Sequence, residues 1–117
     1  MVEKSYKKLI VWQKADQLAR EVYIETKHFP KEEIYGITSQ LRRSALSIPT
    51  NIVEGSGRQS KAEMRRFTNI AMGSLFETEY LLEFCCGLGY LNNDSYEKLE
   101  ALRKEAGGIL WKFYKSF

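Results

Sequence analysis

Five arginines carry the most concentrated chemistry in this sequence: Arg42, Arg43, Arg58, Arg65 and Arg66. They fall in residues 40–66, QLRRSALSIPTNIVEGSGRQSKAEMRR, where six basic residues stand against Glu54 and Glu63. A guanidinium is planar and permanently charged, and its fork of donors matches two phosphate oxygens at once. Free amides at a helix start beside such groups add to the pull on an anion. Residues 67–97 contain no Lys or Arg. The same pattern suits a second use, in which the arginines pair with Glu77, Glu79 and Glu83 of a neighbouring copy.

Other chemistry is thin. The single histidine, His28, sits beside Phe29-Pro30 and reads as a capping or surface group rather than a base. Glu54, Glu77 and Glu79 have no spacing that selects them as acid and base or as metal ligands. The two cysteines, Cys85 and Cys86, are adjacent, which suits neither a disulfide nor a metal site, and they read as small buried hydrophobes. There is no Walker loop, dinucleotide fingerprint or nucleophile elbow, and Gly55-Ser56-Gly57 is too short to cradle a phosphate. The expectation is a protein without enzymatic activity, cofactor or metal.

The elements that must position the arginines are helical. The first pattern repeats Trp12, Ala15, Ala19, Val22, Thr26 and Phe29 at three and four residues and stops at Pro30. The second runs from about Glu32 to Gly55 with a stripe of Ile34, Ile37, Leu41, Ala45, Ile48 and Ile52. Pro49 lies inside it and predicts a kink or restart. Gly55 and Gly57 predict a left-handed stop. On this helix Arg43, Ser47, Thr50, Glu54 and Arg58 share a stripe, with Arg43 facing out and Arg42 at the flank of the core.

Ser60 and Glu63 form a capping box that opens the third helix. Met64, Phe67, Ala71, Leu75, Leu82 and Cys85 follow, and Gly87 and Gly89 close it. The fourth opens at Asp94 with Glu97, and carries Leu99, Leu102, Ala106, Ile109 and Phe113. Four helices with short connections predict one all-α domain spanning residues 1–117, an antiparallel up-down four-helix bundle. Several helices carry apolar residues off the main stripe: Leu18 and Tyr23; Phe76, Tyr80 and Phe84; Leu110, Trp111, Tyr114 and Phe117. These are either a broad core stripe or a subunit interface.

Composition sets the frame. The chain has 117 residues, enough for one domain, and a net charge of +3. Residues 1–66 hold thirteen Lys and Arg against eight Asp and Glu, while residues 67–117 hold five against seven. A basic half and an acidic half attract a polyanion or pair head to tail with a second copy. No stretch of eighteen apolar residues predicts a membrane span. The N-terminal MVEKSYKKLIVW has too short an apolar core for a signal peptide, so a cytoplasmic location is expected.

The chain resembles the four-helix bundle proteins encoded in intervening sequences of bacterial 23S ribosomal RNA genes. LIVWQKA (residues 9–15), Phe29-Pro30, YGITSQLRRSALSIPTNIVEGSGR (residues 35–58), Phe67 and AMGSLFETEYLL (residues 71–82) carry the resemblance. It implies a left-handed bundle assembling as a ring-shaped homopentamer, with no enzymatic activity. The family is similar to the accessory protein of diversity-generating retroelements, which is basic and binds nucleic acid and a reverse transcriptase. The resemblance thus implies RNA or DNA as a partner, and a reverse transcriptase or ribosome-related protein as another. Arg42, Arg43 and Arg58 would be its nucleic-acid or assembly residues; Arg65 and Arg66 join them on charge alone. The net charge here is lower than in the strongly basic retroelement relatives.

Overall fold

The computed structural model describes residues 5–117. A 3-10 turn at Ser5–Lys8 leads into α1 (Ile10–Glu25), and a second one at Lys31–Glu33 leads into α2 (Ile37–Ser56). Then come α3 (Lys61–Gly87) and α4 (Asn93–Lys115). The described residues contain no strand. Each helix buries one face, as the three-four spacing requires: Ala15, Leu18, Ala19 and Val22; Leu41, Ala45, Ile48 and Ile52; Ala71, Leu75, Thr78 and Leu82; Leu99, Ala106 and Leu110.

Consecutive helices meet side by side. Ser44 and Thr78 hydroxyls lie 2.9 Å apart between α2 and α3, and those of Ser47 and Ser74 2.8 Å apart. Arg42 Nε donates to Thr26 Oγ1 at 2.8 Å, tying α2 to the end of α1. The circuit closes from α4 back to α1 through Lys14 with Glu105 at 3.3 Å and Ser95 with Glu25 at 2.8 Å. Between α3 and α4, Arg103 reaches Glu79 at 3.0 Å. No Cα of α1 comes within 8 Å of one in α3, nor any of α2 within that distance of α4. The core is therefore the column enclosed by the four helices.

Several local expectations change. The second helix starts at Ile37 rather than Glu32, because Gly36 (φ −113°, ψ −119°) breaks the path from the preceding 3-10 turn. Ile34 is accordingly 46% exposed instead of joining the core stripe. The first helix ends at Glu25, before Phe29-Pro30, where Thr26 turns its hydroxyl back onto the Val22 carbonyl. No restart occurs at Pro49, which is buried inside one continuous helix. Thr50 and Asn51 side chains bond the Leu46 and Ser47 carbonyls, one turn back, beside the place where proline withholds its donor.

Gly57 caps α2 in an ordinary right-handed conformation (φ −80°), so the left-handed stop expected there is absent. Among the described residues it occurs once, at Gly89 (φ 80°). There the Gly89 amide bonds the Cys86 carbonyl and the Tyr90 amide the Cys85 carbonyl, the paired bonds of a Schellman ending. Ser60 caps α3 by accepting from the Glu63 amide at 3.0 Å, while the Glu63 carboxylate turns to Arg66. The fourth helix is capped by Asn92, not Asp94, through the Ser95 amide at 2.8 Å. Leu18 and Leu110, expected on second faces, are core residues at 0% and 1% exposure. Cys85 is buried, which pushes its thiol up to about 11, and Cys86 is half-buried.

The α1–α4 seam carries a pH dependence. The Ser95 hydroxyl, and behind it Lys98, hold the Glu25 carboxyl below its ordinary value against the opposing effect of burial. A carboxyl lowered in the folded state stabilises above its unfolded pKa, and that contribution fades as pH falls through the folded value. Glu25→Gln should therefore flatten the acid limb of thermal stability, measured as Tm between about pH 7 and about pH 3.

Candidate nucleic-acid interface

Three of the five arginines come together where α2 hands over to α3. Gly55 permits close contact: a Cβ there would lie 2.6 Å from Met64 Sδ and 3.0 Å from Phe67 Cβ. The turn after Gly57 brings Arg58 beside the first turns of α3, and the Ser60 cap fixes where those turns begin. Arg58 and Arg66 then share one ring, with guanidinium carbons 5.1 and 4.4 Å from the Phe67 centroid. Arg65 lies 4.4 Å from the ring centroid of Tyr114, in the last turns of α4. Two aromatic rings thus hold three exposed guanidiniums in place, at lower entropic cost than free side chains would incur.

Two carboxylates moderate this cluster. Arg66 Nε donates to Glu63 at 2.8 Å, which holds the Glu63 carboxyl below its usual range. Arg58 stands 3.8 Å from Glu54. Both pairs are solvent-exposed and exchange readily with a competing anion. Glu63 also offsets the unfavourable position of Arg65 and Arg66 near a helix start, whereas Arg58, just past the end of α2, is well placed.

The contact between Arg65 and Tyr114 adds two residues that no local pattern singled out. Lys112 and Lys115 in the last turn of α4 stand at this same end, and Lys115 lies 5.6 Å from the Trp111 ring centroid. With Lys61 they make a basic end drawn from three helix termini. The signal for them lies in the terminal KFYKSF once the end of α4 is placed beside the start of α3.

Arg42 and Arg43 lie elsewhere. Arg58 stands fifteen positions after Arg43, most of them helical, which places the two roughly 20 Å apart along the axis. Arg43 is exposed and lines a polar recess of about 320 Å³ with Gln40, Ser44, Ser47 and Glu77. Arg42 is half-buried, bonded to Thr26, with its guanidinium 4.9 Å from the Tyr23 ring centroid. Glu79, a candidate partner for an arginine of a second copy, is engaged by Arg103 of its own chain. His28 is exposed, with its ring edge-on to Phe29. Among the described residues no cluster of His, Cys, Asp and Glu could hold a metal, and no helix is long and apolar enough to cross a membrane.

Away from the basic end, an aromatic row stays uncovered. Phe76 and Tyr80 are each 61% exposed and Phe84 less so, while Trp111, half-exposed on α4, links this row to Lys115 of the basic end. Tyr80 and Phe84 pack on each other at 6.1 Å. Another apolar opening, about 490 Å³, lies between α1 and α2 and is lined by Tyr23, Ile24 and Leu46 together with Asp16, Arg20 and Lys27.

Fold and surface together define a small all-α four-helix bundle with one cationic end and uncovered aromatic residues along its side. The chain belongs to the family of 23S rRNA-intervening sequence proteins, whose model matches residues 7–112. It is also similar to a crystal structure from Bacteroides thetaiotaomicron VPI-5482, a protein of unknown function from the S23 ribosomal protein family. The two share 29% identity and superpose with a TM-score of 0.83, over 91% of this chain and 96% of that one. No curated protein matches.

Proposed function

We propose that this protein is a non-enzymatic, self-assembling helical bundle that binds RNA or DNA through its basic end. The observation that carries the reading is the convergence of Arg58, Arg65 and Arg66 on the Phe67 and Tyr114 rings. Guanidiniums held over aromatic rings keep outer donors for phosphate oxygens, and Lys61, Lys112 and Lys115 extend the field. Most of the affinity should be electrostatic and independent of base sequence. Arg42 and Arg43 contribute little to this end, since they stand about four turns away along α2.

The bundle in this reading is up-down, left-handed and antiparallel. The falling-against-rising order of its contacts supports the antiparallel part: Ser44 with Thr78, then Ser47 with Ser74. Copies assemble side by side into a closed ring, a homopentamer, in the cytoplasm. Support comes from two unlike apolar surfaces, the aromatic row of α3 and the α1–α2 opening. Unlike surfaces give head-to-tail contacts, which close into rings. Glu77 and Glu83 flank the row in sequence, and Lys27 lines the opening beside the Asp16–Arg20 ion pair.

Binding of a structured RNA, followed by fluorescence anisotropy, should weaken steeply with salt. Arg58→Glu with Arg65→Glu should lower affinity by about a hundredfold while the solution mass stays unchanged. No binding at low salt overturns the proposal. Loss of the oligomer in the same variant transfers these arginines to assembly, with a protein such as a reverse transcriptase or ribosome-related component as the partner.

A further inference from the structure

A small cavity at the other end of α2 has the features of an anion site. It measures about 290 Å³ and lies where the connection from α1 meets the start of α2. Lys27, Lys31 and Arg42 line it, together with the hydroxyl-bearing Thr26 and Thr38 and an apolar wall of Phe29, Pro30 and Ile34. Thr38 is 1% exposed, and its Oγ1 is the only buried side-chain polar atom among the described residues without a hydrogen-bond partner. A buried hydroxyl left unpaired is costly, and such groups are normally satisfied by protein, water or ligand.

Two further observations point the same way. Thr38 is the second residue of α2, whose N-cap Gly36 offers no side-chain cap, so the first amides of that helix keep their donors. Arg42 is oriented by its Nε bond to Thr26 and its packing on Tyr23, which leaves the two terminal nitrogens of its fork uncommitted. Three carboxylates are close in sequence to Lys27 and Lys31. Glu25 is bonded by Ser95 and Lys98, Glu32 shares the 3-10 turn of Lys31, and Glu33 accepts from the Tyr90 hydroxyl at 2.8 Å while its other oxygen stands beside Gly36.

We propose that this cavity binds a terminal phosphate group, as inorganic phosphate or a small phosphomonoester. The Thr38 hydroxyl and the α2 amides would donate from one side and the Arg42 fork from the other, with Lys27 and Lys31 at the mouth. The site is separate from the basic end and does not depend on nucleic-acid binding there.

The test is two-dimensional NMR of the full chain, titrated at constant ionic strength with inorganic phosphate and, separately, glycerol 2-phosphate. Saturable shifts should appear at the Thr38 and Ser39 amides and at Arg42 Nε. Thr38→Val should weaken binding at least tenfold while raising Tm, because it removes the orphaned hydroxyl without changing the side chain's shape. Lys31→Gln, on the surface, should weaken binding severalfold without affecting folding. Tighter binding of the ester assigns the site to a phosphomonoester, and equal affinity assigns it to inorganic phosphate. Arg58→Glu with Arg65→Glu should leave these shifts intact even if it abolishes RNA binding. Shifts that never saturate, shifts confined to the basic end, or a Thr38→Val variant with unchanged affinity would overturn the proposal.

Discussion

Gly55→Val should destabilise the fold by about 3 kcal/mol, the upper part of the range for overpacking a tight contact. Even a single Cβ at this position would sit 2.6 Å from Met64 Sδ and 3.0 Å from Phe67 Cβ. Met64 can swing its thioether aside. Phe67 cannot withdraw its Cβ without moving the backbone of α3, and its ring also carries Arg58 and Arg66. Gly55→Ala puts the same clash against the better helix propensity of alanine, worth up to about 1 kcal/mol, so its net loss should be smaller. Gly73 supplies the control: it is helical, and a Cβ added there would meet nothing within 4 Å. Gly73→Ala should stabilise by about 0.5 to 1 kcal/mol. Denaturant titration reads all three, with an unchanged slope showing that stability has changed without a change in the surface exposed on unfolding. Because Phe67 orients two of the guanidiniums, Gly55→Val should also weaken RNA binding under conditions where it remains folded.

The contrast between these glycines shows how far the sequence can be read. Helix number and core faces follow from three-four spacing, since a 27-residue helix such as α3 leaves little ambiguity in its period. Gly55 reads as a stop because glycine near the end of an apolar stripe usually is one. Its actual use, clearance for Met64 and Phe67, depends on how near the next helix comes, which no local pattern encodes. Ile34 misleads for a related reason: its spacing fits the stripe of α2, but Gly36 separates it from that helix. Pro49 has the look of an interruption in a helix that tertiary packing keeps continuous. In the candidate site, Arg58, Arg65 and Arg66 are legible because they are close in sequence. Lys112 and Lys115 are not, because only the folding of α4 back along α3 brings them near. Arg42 and Arg43 resemble members of the same patch because residue number hides the length of a helix.

Arg103 is the residue whose importance the sequence conceals most fully. The α4 stripe reads through Leu102, yet Leu102 is half-buried and Arg103 is 9% exposed beneath the groove that Phe76 and Trp111 line. Its guanidinium joins Glu100 on its own helix and Glu79 of α3, 3.0 Å away. Arg103→Ala should cost about 3 kcal/mol, because removing one partner from a largely buried pair leaves the other charges uncompensated and also forfeits the packing of the arginine stem. Arg103→Met restores the stem but not the charge, so it should recover part of the loss. Combining Arg103→Met with Glu79→Gln and Glu100→Gln should recover more, since no unpaired carboxylate then remains. The carboxylate variants separate charge from packing. If Glu79→Gln and Glu100→Gln add nothing to the recovery given by Arg103→Met, Arg103 serves α3 and α4 through its aliphatic stem alone. Further recovery in the triple variant makes it the charge that lets two acidic helix faces lie together beneath the exposed aromatic row.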